Sequence, residues 1–155
     1  MTLIDQTLLD ALSAEARQAP RGRKNRNFHP ADDFPAHRLL NAIEPGSYVM
    51  PHRHLDGDKA ETIVVVRGEL GLVLFDDAGA VAATHRLTTG GAAVGVDLPA
   101  GTWHSVLGLV PGTVFFEAKA GPYVPIRPDE KAAWAPAEGD PGAAAYQQRL
   151  AGYFA

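Results

Sequence analysis

The feature that most constrains this chain is a succession of short apolar runs between Arg38 and Lys119, each closed by a turn signal. The runs are Leu39–Ile43, Ser47–His54, Glu61–Val66, Gly71–Phe75, Val94–Leu98, Thr102–Leu107 and Thr113–Ala118. Between them stand Glu44-Pro45-Gly46, Asp76-Asp77-Ala78-Gly79, Thr89-Gly90-Gly91, Pro99-Ala100-Gly101 and Pro111-Gly112. Segments this short cannot bury their apolar side chains singly, so they must pair as strands and close on one another. The expected fold is all-β, a sandwich or a barrel. Helical spacing is confined to the ends. Ile4, Leu8, Leu12 and Ala16 mark one amphipathic helix over Leu3–Arg17, stopped by Pro20 and Gly22. Ala143–Leu150 reads as a second, shorter helix in a Pro- and Ala-rich tail. Residues up to Pro35 read as a polar loop that carries the basic run Arg21–Arg26.

Composition narrows the chemistry. A chain of 155 residues suits one domain, and 46% hydrophobic against 21% charged residues argues against disorder. The absence of cysteine excludes disulfides, iron–sulfur clusters, zinc fingers and a thiol nucleophile. Any metal must therefore rest on His, Asp or Glu. The net charge of −4 argues against a general nucleic-acid binder, and the basic run reads as a solvated or anion-neutralising loop. No stretch approaches the ~20 apolar residues of a membrane span, and no basic residue precedes Arg17. The expectation is a cytoplasmic protein with neither a membrane nor a nucleic-acid partner.

The informative stretch is Gly46-Ser-Tyr-Val-Met-Pro-His52-Arg-His54. On a strand, alternate side chains share a face, so Tyr48, Met50, His52 and His54 would project together while Pro51 and Arg53 point away. Two imidazoles at i and i+2 form a compact bidentate platform for a metal. Glu61 opens the most apolar strand, where an inward carboxylate needs a partner. His104 follows the Pro99-Ala100-Gly101 turn. Singly, Glu61 could be a solvent-facing strand start and His104 a structural histidine; together with His52 and His54 they complete a mixed nitrogen and oxygen ligand set. Six residues separate His54 from Glu61, and that interval makes Asp56 or Asp58 an alternative oxygen donor.

These spacings resemble the two motifs of the cupin superfamily. Gly46 with His52-x-His54, then Glu61 with Gly68, resembles the first; Pro99-x-Gly101-x-x-His104 resembles the core of the second. The chain departs from the pattern in its longer His-to-Glu loop, in Gly108 and in Ala93. A narrower resemblance is to the WbuC family of cupin metalloproteins. It is carried by Arg21–His29, Arg38–Gly46, Pro51–His54, Lys59–Glu61, Gly101–His104, Phe116–Tyr123 and Trp134–Glu138. The resemblance implies a cupin double-stranded β-helix, a small jelly-roll barrel, with an N-terminal helix and a short C-terminal helix. The division would be 1–37 for the helix and basic loop packing on the barrel, 38–125 for the barrel and 126–155 for a C-terminal extension. It also implies a role near surface-polysaccharide sugars, and a homodimer.

The expected site is a divalent metal held by His52, His54, Glu61 and His104, with Fe, Mn, Ni or Zn all suited to the ligands. Tyr48 and Met50 would line a pocket beside it, and Arg26 and His29 would cover the barrel mouth and offer charge to an anionic ligand. The ligand itself would be a small polar molecule. Isomerisation, dioxygen insertion and hydrolysis all fit, and the residues do not choose among them. A non-catalytic module for a sugar or sugar nucleotide is the alternative, and a metal-free barrel with vestigial histidines a third. On strand Glu61–Val66, Val64 and Val66 face away from the ligands and need a cover, either the N-terminal helix or a second subunit.

Overall fold

The computed structural model describes all 155 residues, and its strands form two antiparallel sheets. The first helix, α1 (Gln6–Gln18), starts later than its apolar spacing suggests because Asp5 caps it, accepting from Leu8 N at 3.0 Å. The strands follow as β1 (Arg23–Asn27), β2 (Ala36–Ile43), β3 (Glu61–Arg67), β4 (Glu69–Phe75), β5 (Val81–Thr88), β6 (Gly95–Leu98), β7 (His104–Gly108) and β8 (Thr113–Ala120). A second helix, α2 (Ala143–Ala151), lies near the C-terminus. One sheet has the order β1-β2-β8-β3-β6, the other β5-β4-β7.

The inner faces of the two sheets enclose Ile43, Ile63, Val65, Leu70, Leu72 and Phe115, among others. Each outer face has its own cover. Leu9, Leu12 and Ala16 of α1 pack on Leu40, Ala42 and Val114 of the five-stranded sheet. Trp103, Tyr146 and Leu150 cover Val73 and Phe75 of the three-stranded sheet. Strand β4 is thus buried on both faces, which explains its unbroken apolar run. Of the two outward valines on β3, Val66 packs against the α1 cluster, whereas Val64 stays 36% exposed. Between β3 and β4 the chain turns at Gly68, whose φ of +77° favours glycine and whose Cβ would lie 2.7 Å from Thr113 Oγ1.

Three segments differ from the sequence expectation. The basic stretch is a strand: β1 pairs with β2 from Arg23↔Ile43 to Asn27↔Leu39. Strand β5, which pairs with β4, carried no apolar signal of its own. Both are sheet edges, and an edge strand that is polar or charged resists further pairing, so the usual alternation is missing there. Conversely, Ser47–His54 is not a regular strand. Its only strand-like pairing is at His52, by His52 N to His104 O (3.0 Å) and His104 N to His52 O (2.9 Å) on one side and by a bridge to Lys131 on the other.

Candidate metal centre

The paired backbones of His52 and His104 bring their rings to a 4.5 Å centroid separation. His52 Nδ1 lies 3.0 Å from Met50 O, and His104 Nδ1 lies 2.9 Å from Thr102 O. A carbonyl can only accept, so each Nδ1 carries a proton and each Nε2 is left for another partner. Burial, reinforced by the charge of His104, pushes His52 down to about 3, so this ring is neutral at physiological pH.

Glu61 reaches the same place from the start of β3. Its Oε1 lies 3.0 Å from His54 Nε2 and its Oε2 3.2 Å from His104 Nε2. Ligand atoms of His52, His54 and Glu61 fall within 4.8 Å of one another, with His104 joined to them through the second carboxylate oxygen. Burial alone would raise the Glu61 carboxyl. The His104 and His54 imidazoles and the Lys119 ammonium outweigh it and hold the group below the usual carboxylate range.

Whether these residues fit a cation can be read from their unsatisfied atoms. His54 Nε2 is buried and, despite its closeness to Glu61, makes no hydrogen bond. Imidazoles whose Nδ1 donates to a carbonyl while Nε2 faces a carboxylate have the outer-shell arrangement of metal-bound histidines. Three nitrogens and a carboxylate suit a borderline divalent ion. The donor set fits.

Behind Glu61 stands a chain of charged bonds that sequence reasoning did not find. Lys119 Nζ donates to Glu61 Oε1 (2.9 Å) and to Glu117 Oε1 (2.7 Å), and Asn41 Nδ2 donates to Glu117 Oε2 (2.8 Å). The neighbouring Glu117 and Glu61 carboxylates raise the Lys119 ammonium against the opposing effect of its burial. The signal was present: Phe115, Glu117 and Lys119 alternate along β8, opposite Val65, Ile63 and Glu61 of β3.

Three cavities share His52. One of about 230 Å³ is walled by Ile63 and Phe115 on its apolar side and by Asn41, Glu117 and Lys119 on its polar side. A second, of about 120 Å³, opens beside His54 and Tyr123. The third, of about 560 Å³, lies between Arg21, Arg23, Met50, Lys131 and Glu138.

The other sequence candidates are placed differently. Met50 lines the third cavity. Tyr48 does not share the ligand face: it packs edge-on against Tyr146 and donates to Pro136 O at 2.8 Å, because strand alternation fails in an irregular segment. Arg26 is exposed on β1 and lines none of the three cavities, and His29 is buried in a stack with His37 instead of covering a mouth. Arg21 and Arg23 instead line both the first and the third cavity. Asp56 pairs with Arg127 at 3.1 Å and Asp58 is exposed, so neither replaces Glu61.

Residues 4–87, more than half of the chain, match the family model described as Domain of unknown function (DUF6016). The chain belongs to this family. The DUF6016 match spans His52, His54 and Glu61 and ends before His104. No curated protein sequence matches the chain. Among solved structures, KdgF from Halomonas sp. is similar at 19% identity and a TM-score of 0.51, covering 72% of this chain and 86% of that one. The SPY1581 protein of unknown function from Streptococcus pyogenes is 11% identical with a TM-score of 0.51, covering 70% and 86%. Procruciferin, an 11S globulin from Brassica napus, is 16% identical with a TM-score of 0.53, covering 67% of this chain and 26% of its own. At such identities the likeness is one of fold. This DUF6016 protein has the cupin jelly roll, with a candidate metal centre inside it. None of its helices is long and apolar enough to cross a membrane.

Proposed function

We propose that this protein is a cupin metalloprotein that holds a divalent ion on His52, His54, Glu61 and His104 and receives a small polar ligand beside it. The observation that carries this reading is the convergence of Glu61 with the Nε2 atoms of His54 and His104, next to a neutral His52. When bound, the ion would supply Lewis acidity to oxygen atoms of the ligand. The chain's own residues do the rest. Lys119 and Glu117 fix the Glu61 carboxylate, Ile63 and Phe115 give the ligand an apolar wall, and Asn41 offers it an amide. The resemblance to the WbuC family supports a sugar-derived ligand in surface-polysaccharide metabolism, and a homodimer. Isomerisation, dioxygen insertion and hydrolysis remain the reaction classes this ligand set suits.

One observation favours binding without turnover. Apart from the four ligands, Glu117 and Lys119 on the polar wall of the first cavity are already committed to each other, to Asn41 and to Glu61. A module for a sugar or sugar nucleotide is therefore the second reading. Elemental analysis of protein purified without an affinity tag tests the centre: near-stoichiometric divalent metal is expected, and full retention in a His52→Ala/His54→Ala variant would refute it. Incubating the metal-loaded protein with sugar nucleotides and small hydroxy acids then separates turnover from saturable binding.

A further inference from the structure

The third cavity, of about 560 Å³, carries more positive than negative charge. Arg21 and Arg23 both turn to Glu138: Arg21 Nη2 lies 2.7 Å from Oε2, and Arg23 Nη2 bonds Oε1. Lys131, on the same cavity, is exposed and has no acidic partner. Three cations thus face one carboxylate beside His52. The first cavity, of about 230 Å³, which Arg21 and Arg23 also line, does not make up the deficit, because the oxygens of Glu61 and Glu117 are taken by His54, His104, Lys119 and Asn41. Arg23 is held in place independently of any ligand, since its Nη1 donates to Tyr48 O at 2.8 Å. Burial, together with the like charge of Arg21, lowers the Arg23 guanidinium below its ordinary value despite Glu138. A partly buried guanidinium that shares its one counter-ion with an exposed second cation gains from another anion.

We propose that Arg21, Arg23 and Lys131 form an anion subsite, so that the ligand anchored beside His52 carries a second anionic group, a carboxylate or a phosphate, that docks on them. This subsite rests on the metal-centre reading above for its first anchor. Guanidinium groups recognise planar carboxylates and phosphates alike, so the structure defines the charge and leaves the two sources to experiment. Glu138 occupies the subsite's place in the absence of that group, and removing its charge should improve binding.

The test uses the full-length, metal-loaded protein and three probes in calorimetric titration: lactate with one anionic group, malate with a second carboxylate, and 3-phosphoglycerate with a phosphate. Malate or 3-phosphoglycerate should bind about tenfold or more tightly than lactate, and the better of the two identifies the anion. Arg21→Gln/Lys131→Gln, both at exposed positions, should erase that preference while leaving lactate binding and metal content unchanged. Glu138→Gln should tighten the dianions several-fold, about the gain from one removed competitor. That gain is an effect no misfolded variant could produce. Equal binding of all three probes, or equal losses for lactate and malate in the double variant, would overturn the subsite. Metal content is measured on the same samples, so loss of the metal-centre reading would register separately as protein that retains no ion.

Discussion

Two groups of buried histidines lie in this molecule, and they have opposite fates. His29 and His37 stack at 3.9 Å with their rings 7° from parallel. Each spends one nitrogen on the backbone: Arg38 N donates to His29 Nδ1 at 3.2 Å, and His37 Nε2 donates to Asp32 O at 3.1 Å. His52 and His104 likewise spend Nδ1 on a backbone carbonyl, and the Nε2 of His104, with that of His54, faces the Glu61 carboxylate. A buried carboxylate meets the second group and none is bonded to the first. Burial of histidine therefore does not make a site. What sets the candidate centre apart is a carboxylate shared between neighbouring rings.

The comparison can be broken most directly by metal content. The His29→Phe/His37→Phe variant, which keeps a stacked pair of rings, should retain the full complement of ion by elemental analysis, whereas His52→Ala/His54→Ala should retain almost none. Glu61→Gln keeps the shape and removes the charge. Because losing an outer-shell partner already costs up to about 100-fold in metal affinity, this variant should lose at least about that much in a competition assay against a chelator.

Smaller effects sharpen the contrast in stability. Lys119→Met leaves Glu61 and Glu117 without their common cation, and in metal-free protein this should cost about 3 kcal/mol in urea unfolding. The metal-free protein should also weaken in acid. The folded state keeps His52 neutral down to about pH 3, so below its ordinary value of 6.5 the unfolded chain takes up the proton first. Stability is then full above that value and falls as pH drops toward 3, by at most about 1.4 kcal/mol per pH unit from this one group. A His52→Gln variant should lose that part of the slope, and a His37→Phe variant should keep it. His37→Phe alone forfeits one hydrogen bond to a carbonyl, about 1 kcal/mol, seen as a small fall in Tm.

What could be read in the chain before folding follows from how each residue is buried. Strands with an apolar face, such as β3 and β4, announced themselves because their side chains must leave water. Strands β1 and β5 did not, since an edge owes its place to backbone pairing and its polar side chains carry no periodic signal. The clustered residues of the candidate centre were legible because their motifs are local: His52 and His54 are two residues apart, and His104 follows the Pro99-Ala100-Gly101 turn. Tyr48 was misplaced by the same reasoning, since alternation presupposes a ladder and Ser47–His54 has only a bridge.

The sequence by itself determined an all-β sandwich or barrel, the terminal helices and a restriction to His, Asp and Glu for any metal, because apolar periodicity and the lack of thiols act at short range; the cupin form came from the resemblance of its motifs. Only the tertiary structure decided the surroundings of the centre. Glu117 and Lys119 reach Glu61 through the pairing of β8 with β3, and Arg21 and Arg23 meet Glu138 across more than a hundred residues of chain. Those contacts depend on sheet order and on the path of the C-terminal segment, and no local pattern encodes either.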